Sequence, residues 1–233
     1  MDSLRDLNAS PRCWADRMPT LAGHLRRALG AAQCDPVPYR HWTLADVLPA
    51  GALPLLRALP FAATPEGDNG GQRAHNNAAR AFVDPASRAA FPVCGALAEA
   101  FQSQAITDLI GRMCDIALSG TSLRIEYCQD RAGFWLEPHT DIGEKRFTML
   151  VYLSAPPEAE AWGTDIFDGP AGGLVKRSAG ACNTGLIFVP AADTWHGFAP
   201  RPITGIRRTL IVNYVGPQWR ARHELAYPDR PIA

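Results

Sequence analysis

The chain has 233 residues, 47% of them hydrophobic and 20% charged, enough for one well-buried core, and a single domain spanning 1–233 is the economical expectation. Its 23 basic residues balance 23 acidic ones, which leaves no electrostatic footprint for a nucleic-acid backbone. The start, Met1 to Asp6, lacks a cationic stretch leading into an apolar one, and no apolar run approaches membrane-spanning length, so a cytoplasmic protein with no membrane partner is expected.

In chain order, the apolar positions Leu21, Leu25 and Leu29 predict an amphipathic helix from Trp14 to about Ala32. Thr43 and Asp46 suggest the cap of a short helix, and Leu55 and Leu59, with Pro54 in the first turn, another over 53–59. Thr64 to Gly71, rich in glycine and polar residues, reads as a surface loop. The segment after it crowds His75, Asn76, Asn77 and Arg80 together before Phe82 and Val83, which read as the end of a strand. Arg80 and Asn77 are candidates to hold a polar substrate. Asp84-Pro85 reads as an N-cap and first helical residue, with helices over 85–101 and 104–118 and Gly120 ending the second.

From Thr121 the pattern changes to short strands between turns: 123–128, 147–153, weaker ones at 162–167 and 173–176, then 185–189 and 207–214. This divides the chain into a helical N-terminal elaboration with one or two strands (1–120), a sandwich or jelly-roll core (121–216) and a tail (217–233), a mainly β fold with flanking helices. The cysteines at 13, 34, 94, 114, 128 and 182 form no Cys-x-x-Cys pair and read as reduced, mostly buried side chains.

The chemistry concentrates in Pro138-His139-Thr140-Asp141, in His196, 57 residues beyond His139, and in Arg207, eleven residues further on. In extended backbone His139 and Asp141 share a face, and with His196 they would make two imidazoles and a carboxylate, a set that holds Fe(II) with coordination positions open. Arg207, Thr209 and Ile211 share a strand face, and a guanidinium two places from a hydroxyl forms a fork for a carboxylate. Trp135 and Trp195 are candidates for the wall of the pocket mouth.

His139-x-Asp141, His196 and Arg207-x-Thr209, set among short strands over roughly 122–215, resemble the signature of the Fe(II)/2-oxoglutarate-dependent oxygenases, in particular the prolyl-hydroxylase-like branch. The resemblance implies a double-stranded β-helix with the first-half helices packed outside one sheet. It also implies Fe(II) on His139, Asp141 and His196, 2-oxoglutarate as cosubstrate and O2. Arg207 and Thr209 would hold the distal carboxylate, aided by Tyr152 or Tyr127. The implied reaction hydroxylates an unactivated C–H bond of a small polar metabolite or a peptide side chain, releasing succinate and CO2. Asp141 departs from the halogenating members, which carry a small residue there. Asn213 departs from the nucleic-acid repair members, which carry an arginine there. Two other readings stay open: a cupin-like metalloenzyme working without 2-oxoglutarate, which would not require Arg207, and a catalytically silent binding or sensor domain.

Overall fold

A computed structural model describes residues 18–72 and 80–233. The first residues of the expected N-terminal helix, and His75, Asn76 and Asn77, lie outside them. In chain order the elements are α1 (Met18–Gly30), β1 (Gln33–Asp35), β2 (His41–Leu44), α2 (Ala52–Arg57), β3 (Ala81–Phe82), α3 (Pro85–Ala90), α4 (Pro92–Gln102) and α5 (Gln104–Cys114). There follow β4 (Ser122–Asp130), β5 (Leu136–His139), β6 (Lys145–Tyr152), β7 (Asp165–Phe167), β8 (Leu174–Arg177), β9 (Gly185–Phe188), β10 (His196–Phe198) and β11 (Arg207–Val215). The strands form a larger sheet in the order β1-β2-β9-β6-β11-β4-β3 and a smaller one in the order β5-β10-β7-β8. Every recorded strand pair is antiparallel, as the expected jelly roll requires.

Alternation along the three longest strands builds two different faces. Leu123, Ile125 and Tyr127 of β4, Phe147, Met149 and Val151 of β6, and Leu210, Val212 and Tyr214 of β11 join Leu25, Leu97, Phe101 and Ile110 in one core between the larger sheet and the helices. Their neighbours Cys128, Leu150, Tyr152 and Ile211 meet Ile166 of the smaller sheet in a second apolar cluster. The strand period of two thus separates a helix-covered outer face from an inner face that both sheets share.

Several sequence expectations are corrected locally. The single helix expected over 85–101 is broken at Phe91, whose backbone is extended (φ −123, ψ 107) because Pro92 disfavours helical geometry in the residue before it. Asp84 does cap α3, its carboxylate accepting from the Ser87 amide at 2.7 Å. Asp115, in left-handed geometry with φ 58, ends α5 before Gly120 is reached. Thr43 lies in β2, not at a helix cap, because β2 is hydrogen-bonded on both sides, to β1 and β9. Trp162 belongs to a 3-10 turn (Pro157–Trp162), and the strand begins only at Asp165.

The glycine-rich loop is docked along the chain from 129 to 137. The Thr64 amide donates to the Gln129 carbonyl at 2.8 Å, Gly67 to Ala132 at 2.9 Å, and Glu137 to the Gly71 carbonyl at 3.0 Å. Gly71 has φ 71, and a Cβ there would overlap the Trp135 ring, so only glycine permits this approach. After β11 the tail folds back over the start of β4, the Ala226 amide donating to Leu123 and the Ile232 amide to Thr121. No helix among the described residues is long and apolar enough to cross a membrane.

Candidate active site

A cavity between the sheets is lined by His139, Asp141 and His196, by the charged Arg80, Glu126, Lys145 and Arg207, and by an apolar belt that includes Leu136, Leu150, Phe198 and Ile211. His139 closes β5 and His196 opens β10. The two are direct cross-strand partners, their ring centroids 4.4 Å apart at 51°. Each Nδ1 donates to the carbonyl two residues earlier, His139 to Glu137 at 2.8 Å and His196 to Thr194 at 2.9 Å. A carbonyl can only accept, so each Nδ1 carries a proton, which in the neutral ring leaves the lone pair on Nε2, the tautomer a metal ligand needs.

Burial pushes His196 down to about 4, and His139 adds to this while the Asp141 charge opposes it, so the ring is neutral at physiological pH. The unfolded side chain titrates near 6.5 and therefore binds more protons than the folded one between pH 6.5 and 4. This histidine's contribution to stability is complete above pH 6.5 and lost as the pH falls towards 4. Metal-free protein is expected to lose about 3 kcal/mol across that window, measured by urea denaturation at its two ends, with His196→Asn removing most of the difference.

Burial by itself would raise Asp141. The Lys145 ammonium, the His196 ring and the hydrogen bonds from Lys145 and Thr148 outweigh it and hold the carboxyl well below the usual range. Lys145 Nζ donates to Oδ1 at 2.5 Å and Thr148 Oγ1 to Oδ2 at 2.7 Å. Behind Thr148 a buried chain continues, with Asn213 Nδ2 donating to Thr148 Oγ1 at 2.9 Å and Arg124 Nη1 to Asn213 Oδ1 at 3.1 Å. Among the described residues no three His, Cys, Asp or Glu side chains stand close enough to hold a metal ion as they are. Two imidazoles and an ionised carboxylate nevertheless fit Fe(II) by donor type, and the three residues line one cavity. Both carboxylate oxygens of Asp141 already have donors.

At the other end of β11, Arg207 is buried, 4% exposed, and lines the same cavity. It does not wait there alone. Nη1 donates to Asp130 Oδ2 at 2.6 Å, Nε to the Trp162 carbonyl at 2.7 Å, and the guanidinium lies 4.5 Å from the centre of the Phe198 ring. Nη2 has no hydrogen-bond partner among the described residues. Among the described residues the buried hydroxyl of Thr209, next on that face, and Asp130 Oδ1 have no hydrogen-bond partner. Tyr152 is opposite Thr209 in register, and its hydroxyl bonds Thr164 at 2.8 Å and Ser178 at 2.7 Å.

The remaining candidates divide. Arg80 lines the cavity and grips Glu126 through Nε and Nη2, both at 2.8 Å. Asn77 lies outside the described residues. Tyr127 must be corrected: it points away from the cavity into the helix-covered core, its hydroxyl donating to the Leu56 carbonyl at 2.8 Å, because it shares the face of Leu123 and Ile125. Trp135 is corrected too: it does not line the cavity but packs on Gly71, with Nε1 donating to Asp68 at 2.6 Å. Lys145, Thr148, Asp130 and Glu126 were missed by sequence reasoning. Lys145 and Thr148 follow Asp141 by four and seven residues, a proximity that was visible. Asp130 becomes visible only through its register with Arg207.

No family model matches this chain. No curated protein matches it either. Solved structures do. A prolyl hydroxylase from Trichoplax adhaerens, in complex with a hypoxia inducible factor oxygen degradation domain peptide fragment, aligns with a TM-score of 0.54 at 12% identity, over 90% of this chain and 95% of that one. A prolyl 4-hydroxylase from Phytophthora capsici gives 0.53 at 12% identity, over 91% and 67%. One from Pseudomonas putida gives 0.51 at 15% identity, over 85% and 95%. At such identities the likeness is one of fold, and the fold is the jelly roll these hydroxylases share.

Proposed function

We propose that this chain is an Fe(II)- and 2-oxoglutarate-dependent hydroxylase of the prolyl-hydroxylase-like branch. The observation that carries the reading is the facing pair His139 and His196, each with its Nδ1 proton committed to a backbone carbonyl and with the ionised Asp141 beside them. These three residues would hold the metal. The chemistry that Fe(II), 2-oxoglutarate and O2 supply when bound is hydroxylation of an unactivated C–H bond, with succinate and CO2 released.

The chain's own residues supply position and exclusion of water. The spare Nη2 of Arg207, with the unmet Thr209 hydroxyl, offers donors to the distal carboxylate of the cosubstrate, and Tyr152 fixes the adjoining wall through Thr164. Leu136, Leu150, Phe198 and Ile211 supply apolar wall to the cavity. Arg80, oriented by Glu126, is suited to a polar group on a small metabolite or a peptide side chain. The peptide bound to the Trichoplax enzyme is consistent with the second kind of substrate.

The ion pair between Arg207 and Asp130 favours one alternative, a metalloenzyme of the same fold that works without 2-oxoglutarate, since a carboxylate already sits on the proposed anchor. Anaerobic addition of Fe(II) and 2-oxoglutarate separates the two. The expected result is the weak visible charge-transfer band of the chelate, absent in His196→Ala. Fe(II) binding with no band and no 2-oxoglutarate affinity would select the alternative.

A further inference from the structure

We propose that Lys145 is an internal stand-in for the metal, an ammonium that holds Asp141 in the metal-free protein and must leave Oδ1 for the ion to bind. The inference rests on the metal reading of His139, Asp141 and His196. It starts from the unequal anchoring of the two donors on one carboxylate. Thr148 is 2% exposed within β6, and Asn213 Nδ2 already donates to its hydroxyl oxygen. Its single proton is therefore directed to Asp141 Oδ2. Asn213 cannot turn, because Arg124 Nη1 donates to its carbonyl oxygen and its amide reaches the Phe147 carbonyl at 3.3 Å. The Thr148 side of the carboxylate is thus built in.

The Lys145 side is not. Lys145 is the first residue of β6, its side chain is 18% exposed against 7% for Asp141, and four rotatable bonds carry its ammonium. Asp141 Oδ1 is its one hydrogen-bond partner among the described residues. A carboxylate this buried needs a cation, and among the described residues Lys145 is the one lysine or arginine bonded to it. A divalent ion satisfies the same need more strongly. Binding would exchange one cation for the other on Oδ1 while Thr148 keeps Oδ2, so the carboxylate would present a single oxygen to the metal. Lys145 is then a positioning residue whose removal has two effects of opposite sign: the empty protein loses stability and the metal binds more tightly.

The test is Co(II) titrated calorimetrically into the chelator-stripped full chain, with urea denaturation of the same samples. Lys145→Met is expected to lower the urea midpoint of the metal-free protein while tightening Co(II) about tenfold; Lys145→Gln is expected to do the same more weakly and serves if the methionine variant does not fold. Thr148→Val is expected to lower both stability and Co(II) affinity, which a merely structural Lys145 would imitate. If Lys145→Met and Lys145→Gln bind Co(II) no more tightly than the unaltered chain, the stand-in role is wrong and the metal site survives. If the unaltered chain binds no Co(II), the metal site itself is wrong.

Discussion

Arg207→Met is expected to destabilise the protein by about 3–5 kcal/mol and to abolish 2-oxoglutarate binding. The first effect follows from what the substitution leaves behind. Asp130 is 1% exposed, its Oδ1 already lacks a partner, and its Oδ2 depends on Arg207 Nη1. Removing the guanidinium strands a buried charge. The double variant Asp130→Asn with Arg207→Met removes that charge and is expected to recover most of the stability in urea denaturation, yet none of the cosubstrate affinity. A single variant as stable as the unaltered chain would mean that the pair is balanced by its surroundings. Retained 2-oxoglutarate affinity in the double variant would move the anchor elsewhere, with Arg80, which lines the same cavity, the alternative guanidinium.

Arg124→Met is expected to cost about 3 kcal/mol and to weaken metal binding by 10–100-fold without touching a ligand. Arg124 is 1% exposed and donates to Glu126 at 2.9 Å, to Glu224 at 2.5 Å and to Asn213 at 3.1 Å. Its guanidinium also lies 4.8 Å from the centre of the Phe82 ring and 5.1 Å from that of Trp219. Glu126 would still have Arg80, and Glu224 can turn to solvent, which sets the cost at the lower end of the range for a broken buried pair. The effect on the metal passes through Asn213, whose amide loses the donor that orients it, and so through Thr148 to Asp141. Equilibrium unfolding and Co(II) calorimetry on one preparation measure both. Lost stability with unchanged Co(II) affinity would show that the chain of bonds ends at Asn213.

What the sequence made legible was periodic or chemically distinctive. The alternation in 123–128, 147–153 and 207–214 marked the strands that carry the inner face, and the rare residue types at 139, 141, 196 and 207 fall on one cavity. Three strands of three or four residues that went unpredicted, β1, β2 and β5, are too short to display a period, and β5 carries His139. Tyr127 was misassigned because a tyrosine on a strand of the larger sheet looks the same from either side until its register is known. Asp130 and Glu126 were passed over for a different reason: their meaning comes from Arg207 and Arg80, far away in the chain, and no local pattern announces such a partnership.

The facing histidines have a mechanical consequence beyond ligation. β5 and β10 are only four and three residues long, with an irregularity between His196 and Phe198, and the outer strand β8 leaves Leu174 and Val175 exposed. So small a sheet has little hydrogen bonding of its own to resist fraying. An ion shared by His139 and His196 would staple the two strands side by side, and loading the protein would slow amide exchange there far more than in β4, β6 and β11, which the helices already clamp.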